Sequence, residues 1–137
     1  MHVEEMISTH PHVQGNVNDA LIRCIEACYD CAQACTVCAD ACLGEPMVAE
    51  LTQCIRLNLD CADLCAATGA LASRRTGSNE LVLKSVIEAC AEACRLCAAE
   101  CARHARKHAH CEICAESCQR CEQACLAAAE TITPARQ

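Results

Sequence analysis

The chain has 137 residues, a formal net charge of −7 and 18 cysteines, but no Phe, no Trp and a single tyrosine, Tyr29. That length suits one compact domain, and the acidic balance argues against nucleic acid or an anionic membrane surface as partner. No run approaches ~18 consecutive apolar residues, so no membrane span is expected. Met1-His2-Val3-Glu4-Glu5-Met6 has no basic stretch, apolar stretch or twin arginine, so the expected location is cytoplasmic. Cytosolic thiols are held reduced, which favours a metal binder over a disulfide scaffold.

In chain order, residues 1–16 read as an N-terminal arm. Val3 to Thr9 can form a short helix before Pro11, and His10 and His12 belong to a solvated segment. The first long helix is expected from about Asn18 to Leu43, with Asn16 or Asn18 as cap, Asp19 complementing the dipole and Gly44 as stop. Pro46 suits a first helical turn, so a second helix is expected from Pro46 to about Leu71. After a polar turn at Gly77, Ser78 is the expected cap of a third helix reaching about Arg106. His104 to His110 turn the chain into a fourth helix, ending near Thr131 before Pro134. Short connections make consecutive helices antiparallel. The predicted fold is all-α: an up-down-up-down four-helix bundle over residues 17–132, followed by a C-terminal tail, 133–137.

The cysteines give this bundle its character. Cys24, Cys28, Cys31, Cys35, Cys38 and Cys42 are spaced 4, 3, 4, 3, 4, the rhythm of a packed helical seam. On a strand, alternation would scatter them over both faces. On a helix they form one stripe running ~27 Å. The rhythm recurs at Cys90, Cys94, Cys97 and Cys101, and at Cys111, Cys114, Cys118, Cys121 and Cys125. The second helix is sparser, with Cys54, Cys61 and Cys65. Charged residues such as Arg23, Asp30, Glu92, Arg95, Glu112 and Arg120 take the opposite faces, so the thiols are expected to wall the interior.

Extending the seams distinguishes the two ends. Val17, Leu21, Thr68, Ala72, Leu83, Ile87, Ala128 and Ile132 make an apolar plug. Cys42, Met47, Leu51, His104, His108 and Cys111 gather at the other end, where Met47, His104 and His108 join the thiols as candidate metal ligands. That end is the expected mouth.

Eight Cys-x-x-x-Cys pairs can be counted: Cys24/Cys28, Cys31/Cys35, Cys38/Cys42, Cys61/Cys65, Cys90/Cys94, Cys97/Cys101, Cys114/Cys118 and Cys121/Cys125. Their β-carbons, ~5–6 Å apart on a helix, are too far apart for an unstrained disulfide. A linear dithiolate metal with sulfurs ~4.5 Å apart suits the gap better. Cu(I) accepts two or three soft sulfur ligands. Zinc, preferring four ligands in a tetrahedron, is the first competitor and would make a metallothionein-like buffer. An iron–sulfur electron-transfer protein is the second, but the ferredoxin spacing of 2, 2, 3 is absent. No Cys-x-x-Cys opens a helix after a strand, and no catalytic constellation stands out, so an enzyme is not expected.

The four thiol rows, the repeated Cys-x-x-x-Cys, the Ala-rich helices and the histidines at the third turn resemble the bacterial copper storage proteins, in their cytosolic branch, over residues 17–131. The resemblance implies storage of many Cu(I) ions by inward cysteines, about one per cysteine, and a homotetramer of bundles. A copper chaperone or small thiols are the expected exchange partners. The family pattern carries over onto all eight pairs. Cys54 and Cys111 lack a partner four residues on, Asn58 occupies the position where Cys54 would find one, and cross-helix bridging is their expected role. The sequence assigns no role to His2, His10, His12 or His110.

Overall fold

The computed structural model describes residues 1–133. Five α-helices run in order: α1 (Val3–Ser8), α2 (Asp19–Leu43), α3 (Thr52–Ser73), α4 (Glu80–His104) and α5 (Ala109–Thr131), with a 3₁₀ turn at Val48–Leu51 leading into α3. There is no strand among the described residues. Helices α2 to α5 form the expected antiparallel four-helix bundle: α2 packs on α3 and α5, and α4 packs on the same two neighbours. No described helix is long and apolar enough to cross a membrane.

Local chemistry accounts for most of the boundaries. Asn18 caps α2, its Oδ1 accepting from the Leu21 amide at 3.1 Å, and Asp19 stands in the first turn. Gly44 ends α2 as expected, but with φ −85° rather than a left-handed conformation. The helix unwinds through hydrogen bonds from the amides of Gly44 and Glu45 to Ala41 and Cys42, ahead of Pro46, which disfavours helical geometry in the residue before it.

Two expectations fail here. The helix after Pro46 starts at Thr52, because residues 48–51 take the tighter 3₁₀ winding. Ser78 does not cap α4: its hydroxyl donates to the Glu80 carboxylate, and Asn79 holds the cap position without a side-chain bond. The predicted stop at Pro134 lies outside the described residues.

The interior is built from small side chains. Ile22, Ile25, Leu51 and Ile87 are the largest fully buried hydrophobes, and every cysteine is at most 1% exposed. Buried alanines beside the thiols (Ala39, Ala62, Ala91, Ala98, Ala115) let the helices pack closely. The plug forms as read: Leu21, Leu83, Ile87, Thr68, Ala72, Ala128 and Ile132 are buried, and Val17 packs partly buried against them. Helix α1 docks through Ile7, with Glu4 paired to Arg23 at 3.4 Å. His2 and His12 are exposed. His10 is half-buried and its Nε2 lies 3.1 Å from the Thr76 hydroxyl, so it belongs to a docked arm rather than a solvated one.

Candidate metal centre

Every cysteine named from the sequence lies in one continuous column of sulfur, and all eighteen are free thiols. Five of the pairs approach directly: Cys24/Cys28 at 4.0 Å, Cys31/Cys35 at 3.7 Å, Cys61/Cys65 at 3.9 Å, and Cys97/Cys101 and Cys121/Cys125 at 4.0 Å. These sulfurs sit closer than the ~4.5 Å expected for a linear dithiolate ion. The reason lies in the contacts across helices. Cys24 meets Cys125 at 3.6 Å, Cys35 meets Cys118 at 3.5 Å, Cys65 meets Cys90 at 3.6 Å and Cys61 meets Cys94 at 3.7 Å. Each thiol is held by a neighbouring helix as well as by its own.

The column resolves into groups of four whose sulfurs lie within 4.8 Å of one another: Cys28/Cys90/Cys121/Cys125, Cys31/Cys65/Cys94/Cys121, Cys31/Cys35/Cys61/Cys118, Cys35/Cys97/Cys114/Cys118 and Cys38/Cys42/Cys54/Cys111. The first four overlap in succession, sharing Cys121, then Cys31, then Cys35 with Cys118. The fifth shares no thiol with them. Cys54 and Cys111, the two cysteines without a partner four residues on, both belong to it.

Asn58 stands at the break in the column. It is fully buried. Its Nδ2 donates to the Cys54 carbonyl at 2.8 Å and to the sulfurs of Cys54 and Cys101 at 3.3 and 3.5 Å. Its Oδ1 accepts from the thiols of Cys114, Cys97 and Cys101 at 3.0, 3.3 and 3.8 Å. All amide positions are thereby used, as a buried amide requires.

S–H···S bonding spreads the thiol acidities apart. Hydrogen bonds from Cys125, then Cys28, pull Cys24 down to about 5, and bonds from Cys101, then Cys38, pull Cys54 down to about 2. Burial pushes Cys42 up to about 11 and Cys111 up to about 12. A metal arriving at Cys42 or Cys111 at neutral pH therefore displaces a proton.

The mouth holds more than the seam revealed. His104 Nε2 lies 2.9 Å from Glu100 Oε2, and Arg103 binds the other oxygen of Glu100 at 2.9 Å. Glu100 is 9% exposed. Glu45 gathers two histidines on one oxygen, His108 Nδ1 at 2.8 Å and His110 Nε2 at 2.9 Å. The His110 hydrogen bond, foremost, holds the Glu45 carboxyl below the usual carboxylate range. The other nitrogen of His110 faces Cys38 and Cys111 at 3.4 and 3.6 Å. Met47 is 36% exposed at the rim. The carboxylates leave Nδ1 of His104 and Nε2 of His108 for a metal, the arrangement that usually orients a ligating imidazole. Glu45, Glu100 and His110 escape the seam pattern. Only the clustering of histidine and acid at the helix ends hinted at them.

The copper storage protein family model matches residues 17–130. The chain belongs to that family. Among solved structures, the copper storage protein Ccsp from Streptomyces lividans, loaded with 10 copper equivalents, is 52% identical over 96% of this chain and 99% of its own, with a TM-score of 0.89. A cytosolic copper storage protein from the same organism, carrying five coppers, is 59% identical over 79% of this chain and 90% of its own (TM-score 0.77). The Cu(I)-bound copper storage protein BsCsp3 is 38% identical over 75% of this chain and 92% of its own (TM-score 0.65). No curated protein matches. For a copper storage protein, the buried column of thiols is the part that can carry cargo.

Proposed function

We propose that this chain stores Cu(I) in the cytoplasm, with all eighteen cysteines as ligands and no catalytic turnover. The observation that carries the reading is the overlap of the four-sulfur groups. A thiolate bridging two metals can serve adjacent groups at once, and Cu(I) tolerates the low coordination number this demands. Capacity is then about one ion per cysteine. Each copper replaces one thiol proton, so a core of neutral S–H groups becomes a core of neutral Cu–S units. Buried charge does not accumulate as the column fills, and net −2 charge at every level, as in a tetrathiolate zinc site, is avoided.

Entry at the mouth through His104, His108 and Met47 fits the free imidazole nitrogens there. A copper chaperone or small thiols on the outside could exchange copper with this mouth by sulfur-for-sulfur substitution. The homotetramer known for the family is adopted as the working assembly. The deciding experiment is an anaerobic titration of the reduced, metal-free protein with Cu(I) against a competing chelator. Uptake near one ion per thiol is expected. Saturation at four or five ions would overturn the reading in favour of discrete tetrathiolate sites.

A further inference from the structure

The geometry points to a second kind of metal site inside the copper column: Cys38, Cys42, Cys54 and Cys111 form a self-contained tetrathiolate site for a divalent cation that demands four sulfurs, of which Zn²⁺ is the physiological example. Three observations carry it. First, these four sulfurs lie within 4.8 Å of one another, with Cys38 and Cys111 3.9 Å apart. A tetrahedral ion with arms of ~2.3 Å needs edges of ~3.8 Å, so the cage closes around it by side-chain adjustment alone.

Second, this group shares no thiol with the four overlapping groups deeper in the column. A divalent ion that excludes bridging spoils its neighbours wherever groups overlap, but here it takes nothing from them. Asn58 marks the divide, donating to Cys54 on one side and accepting from Cys97 and Cys114 on the other.

Third, the two cysteines that break the pair pattern are accounted for. Cys54 and Cys111 have no partner on their own helices because they complete the Cys38/Cys42 pair from α3 and α5, tying three helices at the mouth. A divalent ion with four thiolates is doubly negative, and polar groups stand where that charge must be screened. The Asn58 amide meets Cys54 at 3.3 Å, and the His110 ring lies between Glu45 and the sulfurs of Cys38 and Cys111. The site goes beyond the storage reading and does not depend on it.

Co²⁺ alone is the probe, added anaerobically to the reduced, metal-free full chain. The expected result is one tightly held Co²⁺ per chain with the visible d–d bands and sulfur-to-metal charge transfer of a four-sulfur centre, bleached by Zn²⁺. The bands should be lost in Cys54→Ser and Cys111→Ser and kept in Cys121→Ser, which breaks two of the deeper groups. Circular dichroism checks each fold. Should serine disturb the mouth, Cys54→Ala and Cys111→Ala replace one small buried side chain with another. Bands that survive loss of Cys54 or Cys111, bands lost with Cys121, or binding without four-sulfur spectra would each overturn the site. Cu(I) uptake on the same preparations separates the two readings: full copper capacity without the cobalt centre sinks this inference alone, and absent copper uptake sinks the storage function.

Discussion

Asn58→Ala is expected to destabilise the metal-free protein sharply and the copper-loaded protein far less. Asn58 is fully buried and bonds on both faces of its amide. Two contacts are short, to the Cys54 carbonyl at 2.8 Å and from the Cys114 thiol at 3.0 Å. At about 1 kcal/mol each they contribute roughly 2 kcal/mol. Removing the amide from a close-packed core adds a cavity cost of about 1 kcal/mol. The sum, about 3 kcal/mol, lowers the melting temperature by roughly 10 °C for a chain of this size. Asn58→Leu fills the space and so separates the two contributions, with an expected loss of about 2 kcal/mol. In the loaded protein, metal–sulfur bonds tie the same helices together and binding free energy adds to folding free energy, so the drop shrinks. Thermal unfolding followed by circular dichroism, under reducing anaerobic conditions with and without Cu(I), reads both states. A metal-free protein that melts within about 2 °C of wild type would refute the assignment of Asn58 as the organiser of the column, since that corresponds to less than one hydrogen bond.

Asn58→Cys should create a ninth Cys-x-x-x-Cys pair with Cys54 and raise copper capacity by one ion per chain, counted by metal analysis after gel filtration; an unchanged count would mean that level is not a site. His104→Ala with His108→Ala should slow copper uptake in stopped-flow mixing while leaving capacity intact, and equal rates would remove the mouth from the entry route. Gly69→Ala should destabilise despite a helix-propensity gain of about 1 kcal/mol, because the new Cβ would sit 3.0–3.2 Å from three ring carbons of Tyr29. Adding Tyr29→Leu should turn the effect favourable, and a stabilised single variant in urea unfolding would contradict the clash. Stability of the metal-free protein should fall as pH rises from 9 towards 12. Cys42 and Cys111, raised to about 11 and about 12 from an ordinary 9.0, keep their protons in the fold after the unfolded chain has lost them. Their contribution is whole below pH 9 and disappears through the folded values. A flat urea midpoint across that window would show that burial does not protonate them.

The bundle was legible because one residue type marks its seams. A cysteine every third or fourth residue, with no other large side chain competing for the core, fixes both the helical period and the inward face. Asn18 was readable as a cap for the same reason: a short polar side chain directly before a periodic run. The start of α3 was not, since Pro46 is equally at home in a first helical turn and in the loop before a 3₁₀ turn, and only packing of Leu51 at the mouth distinguishes them. Glu45 and Glu100 were invisible because their role depends on histidines that other helix ends bring to them. The sulfur spacing was misjudged for a related reason. Single-helix geometry gives the distance between partners four residues apart, while contacts such as Cys35 to Cys118 at 3.5 Å draw the thiols towards the axis.

The shared sulfurs of successive groups make the column a pathway as much as a rack. An ion held by Cys31 in one group is already bonded to a member of the next, and the same holds at Cys121, Cys35 and Cys118. It can advance by exchanging one sulfur at a time while the others retain it, so no step releases bare Cu(I) into an apolar interior. Occupancy can then re-equilibrate along the whole length after each arrival. Where a given ion rests is set by the most stable arrangement of the total load, and not by the order in which ions came through the mouth.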